Sequence, residues 1–291
     1  MKVWVQASRP HTLWATVVPV LVGSGLAAGD GVFRWDAATA AMIGALAIQI
    51  AANFANDVFD ARSGADNENR IGPKRMVASG EVSDRAMWIA TWVAVSVGAL
   101  AAVWLITIAG WIVAVIGIAS LVAMIRYVGG SSPYGYRGMG ELVVFIFFGV
   151  VATVGSRWVH DGNLTLPALL LSIPVGLPVT AILVANNIRD IGTDAAAGKR
   201  TLAVILGRNR TRTLYAMLIW GTFVSLGVFV VLGLVPIASG IAVFWIPIAV
   251  PLITTVKTTA DGPALIGVLK GTARLELFVG VSMAAGASLG A

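Results

Sequence analysis

The chain has 291 residues, of which 58% are hydrophobic and 12% are charged, and its mean hydropathy is +0.88. A soluble domain carries about 25% charged residues, so this composition indicates a membrane protein. The absence of cysteine excludes disulfides, thiol catalysis and iron–sulfur clusters, and two histidines argue against a histidine-rich metal site. We attribute the net charge of +6 to basic loops that set membrane topology, and not to nucleic-acid binding.

The chain contains continuous apolar runs rather than alternating apolar and polar residues, which favours helices over a β-barrel. A helix needs about 20 apolar residues to cross the hydrocarbon core. The sequence therefore predicts an all-α, polytopic membrane helical bundle of about nine transmembrane helices, in a single domain over residues 1–291. The predicted spans are 11–29, 37–57, 84–106, 109–126, 140–158, 167–188, 213–234, 238–256 and 274–291.

Basic residues are distributed unevenly between the two sides of this predicted bundle. With the N-terminus in the cytoplasm, 18 of the 20 Lys and Arg residues fall on the cytoplasmic side, and only Arg34 and Arg157 fall opposite. Cytoplasmic loops are normally the basic ones. We therefore predict a multi-pass protein of the cytoplasmic membrane whose N-terminus and two long polar loops, 57–84 and 189–212, face the cytoplasm.

Two similar acidic clusters end the second and sixth predicted spans. Each has an Asn, an Asp four residues later, and a further Asp three or four residues on. Such spacings share a helix face, so each cluster is expected to direct its carboxylates and an amide the same way. The first cluster contains Asn53, Asn56, Asp57 and Asp60, and the second contains Asn186, Asp190 and Asp194.

Repeated carboxylates near a bilayer indicate a function, because each costs about 2.5–3.5 kcal/mol at the centre and less near the interface. Mg²⁺ takes oxygen ligands and is often held by one or two carboxylates together with substrate phosphates. We predict that the two clusters face each other and bind Mg²⁺ around one diphosphate. The alternative is that these residues only cap helix ends and face water.

Basic residues beside glycine follow both acidic clusters. Lysine offers a point charge and arginine a bidentate fork to phosphate oxygens, so those nearest the clusters are predicted to contact the diphosphate. These residues are Lys74, Arg75, Lys199 and Arg200. For Arg208, Arg210 and Arg212 we prefer a purely topological role.

The segment between the fourth and fifth spans is rich in tyrosine and glycine. Interfacial tyrosines usually form an aromatic belt. An equally good interpretation is a pocket for an aromatic substrate. Its candidate residues are Tyr127, Tyr134, Tyr136 and Glu141.

Taken together, these motifs resemble the UbiA superfamily of intramembrane prenyltransferases over essentially the whole chain. Within that superfamily they are most similar to the branch that prenylates 1,4-dihydroxy-2-naphthoate in menaquinone biosynthesis. The matching segments are Arg9-Pro10-His11-Thr12-Leu13, Asn56 to Asp60, Gly64 to Asp66, Gly72 to Arg75, Ser79-Gly80, Tyr134 to Glu141, Asn186 to Asp190, and Asp194 to Leu202.

The resemblance implies a nine-span fold with a lateral opening to the lipid bilayer, and a Mg²⁺-dependent enzyme that uses polyprenyl diphosphate. The allylic C–O bond would ionise, the dihydroxynaphthoate ring would attack the allylic carbon, and CO₂ and a proton would be lost. The implied Mg²⁺-diphosphate ligands are Asp57, Asp60, Asp190 and Asp194, supported by Asn53, Asn56 and Asn186. The implied phosphate contacts are Lys74, Arg75, Arg189, Lys199 and Arg200.

Three alternatives remain open. A sister enzyme would use another acceptor, such as 4-hydroxybenzoate or a glyceryl phosphate, and an inactive scaffold would need no acidic clusters. A transporter of divalent ions or lipid diphosphates would need polar groups on both sides of the bilayer. The opposite face is expected to hold no comparable cluster; its charged and histidine residues are Asp30, Arg34, Asp36, Arg157, His160 and Asp161.

Overall fold

The computed structural model describes residues 2–62, 75–130 and 132–290, and within these ranges the chain is helical, without a β-strand. One span is composite, because α6, a π-helical segment and α7 follow one another without interruption over Gly140–Trp158. The helices are α1 (Lys2–Ala7), α2 (Pro10–Gly29), α3 (Trp35–Arg62), α4 (Asp84–Ala109), α5 (Ile112–Val128), α6 (Gly140–Val144), α7 (Ala152–Trp158), α8 (Leu166–Ala196), α9 (Leu202–Val231), α10 (Ile246–Thr258) and α11 (Gly262–Ser288). Two 3₁₀ helices cover Tyr134–Arg137 and Ile237–Trp245.

Within the described residues, seven segments of 19 to 31 residues are long and apolar enough to cross a membrane. The apolar helix α5 is shorter, with 17 residues, and α11 has 27 residues but carries Lys270, Arg274 and Glu276. Each predicted span overlaps one of these segments, so the predicted helical fold class is confirmed.

The predicted boundaries are less accurate than the predicted spans. The second predicted loop, 189–212, is mostly helical, because α8 continues to Ala196 and α9 begins at Leu202 after the Thr201 cap. A break remains at Gly207, whose φ of 74° is favoured by glycine. The last helix begins at Gly262, twelve residues before the predicted start, because Asp261 caps its N-terminus.

The helices form two groups with a space between them. The most buried span, α8, contacts α2, α7, α9 and α11, and their apolar side chains form the main hydrophobic core. Helix α3 packs along α4 and also contacts α5. The second group meets the first through α2, and an elongated cavity lies between the two groups.

The close approach of α2 and α11 requires glycine. A Cβ atom added at Gly25 would lie 2.4 Å from the carbonyl oxygen of Ala284. We expect Gly25→Ala to lower the free energy of unfolding by about 1–3 kcal/mol, because backbone atoms must separate. Gly227→Ala in α9 is the control, since its Cβ meets no atom within 4 Å and a helical alanine is favoured over glycine by about 1 kcal/mol. Thermal unfolding in detergent measures both; equal melting temperatures would contradict this account of the packing.

Candidate active site

The first acidic cluster lies in the last two turns of α3. Asp57 is 1% exposed, and its carboxylate accepts hydrogen bonds from the backbone N–H groups of Val77 at 2.9 Å and Met76 at 3.2 Å. Backbone donors to a carboxylate are charge-assisted hydrogen bonds. The segment at Met76 and Val77, inside the first predicted loop, therefore packs onto the end of α3 and fixes this carboxylate.

Asp60 is the meeting point of three separate parts of the chain. Its carboxylate is paired with Arg75, accepts a hydrogen bond from the Tyr136 hydroxyl at 3.0 Å, and lies 3.4 Å from Nζ of Lys199. The same Lys199 ammonium stands 4.5 Å above the centre of the Tyr136 ring. A buried carboxylate is thus surrounded by two cations and a phenol.

The protonation states of these groups agree with the geometry. Burial raises the pKa of Tyr136, and Asp60 raises it further, so the phenol stays protonated and donates. Burial alone would lower the pKa of Lys199, but the attraction of Asp60 and Tyr136 outweighs it and the pKa is raised. Lys199 is therefore a cation at neutral pH.

The second acidic cluster lies at the end of α8. Asp190 is held by its neighbour Arg189 through two hydrogen bonds of 2.7 and 2.6 Å, and Arg189 also donates to Oδ1 of Asn186 at 2.8 Å. The Asp194 carboxylate has no hydrogen-bond partner in the described parts of the chain, although its backbone carbonyl accepts from the Lys199 N–H at 2.8 Å.

The two clusters converge on one region. Lys199, five residues beyond Asp194, contacts Asp60 of the first cluster. Asp194 is close enough to Asp60, Asp190 and Lys199 to interact with each electrostatically. The carboxylates that end the two spans therefore share a common environment on one side of the bundle.

The oxygen atoms at this point have the chemistry that Mg²⁺ requires. Carboxylate and amide oxygens are its usual protein ligands, and the buried Oδ1 of Asn56 has no hydrogen-bond partner in the described residues. In the same residues no three Asp, Glu or His side chains are close enough together to hold a metal ion. The donor set fits Mg²⁺ if Arg75 and Lys199 move from Asp60 towards a phosphate group.

A cavity of about 430 Å³ extends from this region into the bundle. On α3 its wall runs from Asn56 back to Ala41, a length of about 22 Å at 1.5 Å per residue. Most of the wall is apolar, and the polar end includes Asn53, Asn186 and Arg189. This shape suits a long apolar ligand with a polar head group.

The four residues proposed for an aromatic pocket are divided between two places. Tyr127 and Tyr134 line the cavity with their ring centres 5.6 Å apart, and burial raises the pKa of Tyr134 to about 12. Tyr136 contacts Asp60 instead, and the buried Glu141 accepts a hydrogen bond from Asn187 at 2.8 Å. Only the first two therefore line the cavity.

The two remaining predicted diphosphate contacts are Lys74 and Arg200. Lys74 lies outside the described residues. The Arg200 side chain is exposed, while its backbone N–H donates to the Tyr136 carbonyl at 3.1 Å. Arg200 thus joins the second cluster to the tyrosine-rich segment through its backbone, and its side-chain role stays a prediction.

Comparison with known proteins identifies the family. The model of the UbiA prenyltransferase family matches residues 16–264. The chain belongs to the UbiA prenyltransferase family. It is 36% identical to 1,4-dihydroxy-2-naphthoate octaprenyltransferase of Mycobacterium tuberculosis over 99% of this chain and 97% of that protein. It is 37% identical to the Escherichia coli protein of the same name over 78% of this chain and 75% of that protein.

Solved structures agree on the fold of this UbiA prenyltransferase. A UbiA homolog from Aeropyrum pernix superposes with a TM-score of 0.71 at 17% identity, covering 95% of this chain and 96% of that one. A UbiA homolog from Archaeoglobus fulgidus bound to DMAPP and Mg²⁺ gives a TM-score of 0.61 at 14% identity, covering 96% and 98%. With the apolar helices, the family identifies the chain as a multi-pass membrane protein.

Arg9 has no individual role predicted from the sequence of this prenyltransferase. It is the only non-glycine residue with positive φ, 50°, among the described residues, and its buried Nη2 atom has no hydrogen-bond partner there. It lines the cavity within electrostatic range of Asp57 and Asp60. Strained backbone often occurs at functional sites. In the sequence, the signals for Arg9 are its position before Pro10 and its place in the segment Arg9-Pro10-His11-Thr12-Leu13.

The charged residues of the opposite face form an ion-paired network of a different kind from the two acidic clusters. The buried Arg157 pairs with Asp30 at 2.7 Å and with Asp161 at 2.7 Å, which lowers the pKa of Asp161 to about 2. The buried His160 accepts the Arg34 N–H at 2.9 Å. Each carboxylate of this prenyltransferase face is ion-paired with an arginine, Asp36 with Arg34 and the other two with Arg157, so the network is structural.

Proposed function

We propose that this protein transfers a polyprenyl group from polyprenyl diphosphate to 1,4-dihydroxy-2-naphthoate, giving demethylmenaquinol, CO₂ and diphosphate. Five relatives named as octaprenyltransferases acting on this acceptor support the proposal, at 31–37% identity. The observation that carries it is the convergence of two carboxylate clusters and several cations at the polar end of a long apolar cavity.

The head group of the donor binds at the converging carboxylates. Asp57, Asp60, Asp190 and Asp194, with the oxygen atoms of Asn56 and its neighbours, would hold Mg²⁺. When bound, Mg²⁺ supplies Lewis-acid stabilisation of the charge on the departing diphosphate. Arg75, Lys199 and Arg189 turn from their carboxylates to phosphate oxygens, and Arg9 adds a further charge.

Two tasks then fall to the side chains around the reacting carbon. The cationic groups stabilise the diphosphate as the allylic C–O bond breaks and its electrons pass to oxygen. The apolar wall, with Tyr127 and Tyr134, excludes water that would hydrolyse the allylic cation. A ring carbon of the acceptor bonds to the allylic carbon, and the carboxylate leaves as CO₂ while its bonding electrons stay with the ring, so no net proton is released. The diphosphate leaves with the electrons of the C–O bond and takes up one proton from water.

Incubation of purified protein with Mg²⁺, 1,4-dihydroxy-2-naphthoate and a labelled prenyl diphosphate tests the proposal. We expect a labelled, lipid-soluble naphthalenediol and loss of its formation when EDTA is added. Parallel reactions with 4-hydroxybenzoate and with glyceryl phosphate test the sister activities. Transfer to one of these alone would overturn the acceptor, and transfer unaffected by EDTA would overturn the role of Mg²⁺.

The charge distribution also supports a membrane orientation. We propose that the carboxylate end of the bundle faces the cytoplasm, because 18 of the 20 Lys and Arg residues fall on that side of the predicted topology. The transporter alternative is disfavoured because every carboxylate of the opposite face is already ion-paired with an arginine. Accessibility of single cysteines to a membrane-impermeant reagent, introduced at Arg200 and Asn163, measures the orientation directly.

A further inference from the structure

Two basic side chains on the cavity wall have no ion-pair partner among the described residues. Four basic residues line the cavity, and no Asp or Glu does so within the described parts of the chain. Arg75 and Arg189 are paired with Asp60 and Asp190 at the polar end. Arg9 and Lys270 form no ion pair with the described residues, so the cavity is prepared for an anionic ligand.

Lys270 lies on a different wall from the paired arginines. It belongs to α11, which packs along α2, and the cavity-lining residues of α2 are His11, Thr12, Ala15 and Thr16. The charged groups that act on His11 are all cationic, namely Arg9, Lys270 and Arg189. The cavity-lining residues of this wall therefore include a cation and an imidazole and, within the described parts of the chain, no carboxylate.

An unsatisfied hydroxyl lies on the same wall. Thr16 is 5% exposed and lines the cavity, and its Oγ1 has no hydrogen-bond partner among the described residues. A buried hydroxyl without a partner loses free energy that a ligand can restore. It points to a ligand with polar groups at this depth, which a prenyl tail does not have.

We propose that Lys270, with His11 beside it, binds the carboxylate of the aromatic acceptor. The inference rests on the proposed function and adds where the acceptor binds. The diphosphate is matched by the cations around the two acidic clusters, whereas an acceptor with one negative charge needs only one further cation. Seated on the α2–α11 wall, the ring lies between this anchor and the head group of the donor.

Binding of two non-reactive ligands tests the anchor without any turnover. The ligands are 1-hydroxy-2-naphthoate, which has the carboxylate, and 1-naphthol, which lacks it. We expect Lys270→Gln to weaken binding of the first about tenfold or more, as for a hydrogen bond to a charged group, and to leave 1-naphthol unchanged. Lys257→Gln on α10 is the matched control, because it removes an exposed lysine outside the cavity.

Geranyl diphosphate provides the third measurement. Its affinity should be the same for Lys270→Gln and for the unmodified protein. A loss of affinity for geranyl diphosphate alone would assign Lys270 to the donor site. Equal losses of affinity for both naphthalene ligands would show a general defect. Either result would overturn the proposal, and so would unchanged binding of all three ligands. Failure of the proposed function would appear separately, as an unmodified protein that binds these ligands but transfers no prenyl group.

Discussion

Asp194→Asn is expected to remove prenyl transfer and to leave the protein at least as stable as before. The carboxylate is one of the four proposed to hold the Mg²⁺-diphosphate head group, so its loss should lower the transfer rate by about 10²- to 10³-fold. It has no hydrogen-bond partner in the described residues, and its charged neighbours are Lys199 and Arg189 as well as Asp60 and Asp190. Removing a buried charge that makes no hydrogen bond, and whose attractive and repulsive neighbours oppose each other, costs little folding free energy.

Asp60→Asn should also remove prenyl transfer but, unlike Asp194→Asn, should lower the stability of the protein. Its carboxylate is paired with Arg75 and Lys199 and accepts from Tyr136. Removing one partner of a buried ion pair leaves uncompensated charge and typically costs about 3–5 kcal/mol. We therefore expect both variants to be inactive. The melting temperature of Asp60→Asn should fall, whereas that of Asp194→Asn should rise or stay the same.

The comparison needs both measurements on the same preparations. Transfer is measured with saturating Mg²⁺ and donor, and thermal unfolding is measured in the same detergent without Mg²⁺. Retained activity in Asp194→Asn would contradict the assignment of the second cluster. A similar fall in melting temperature for both variants would contradict the view that Asp60, and not Asp194, joins the surrounding segments.

The positions of the acidic clusters could be predicted because they depend on local sequence. Apolar runs end where the carboxylates begin, and a spacing of three or four residues places side chains on one helix face. The same local information misplaced the helix ends. At the ends of α8 and α11 the helix continues into polar sequence, held by hydrogen bonding and caps rather than by apolar burial.

The partners of those carboxylates could not be predicted, because they depend on contacts distant in sequence. Tyr136 reaches Asp60 across 76 positions, and Lys199 does so across 139. Tyr136 and Tyr134 are two residues apart, yet one contacts a carboxylate and the other lines the cavity. No periodicity separates these roles, which follow from the turn of the short helix Tyr134–Arg137. The ion pairs of Arg157 on the opposite face were missed for the same reason.

Gly117→Leu is expected to restrict the length of the prenyl donor. Gly117 lines the cavity on α5, and a Cβ added there would meet no atom within 4 Å, so a larger side chain would extend into open space. It is ten residues, or about 15 Å, along α5 from Tyr127 at the polar end. A short tail ends before this point, whereas a long tail must pass it.

Competition between donors measures the effect. We expect Gly117→Leu to retain transfer from geranyl diphosphate. With donors of 20 or more carbons, the transfer rate should fall about 10²-fold or more, because the leucine occupies space that the longer tail needs and the tail fits only by overpacking the cavity. Gly227→Leu on α9 is the control, since that position is equally open but lies outside the cavity. If Gly117→Leu slowed transfer from short and long donors equally, or slowed transfer from neither, the prenyl tail would not lie along this wall of α5. The cavity would then have to hold another part of the reactants.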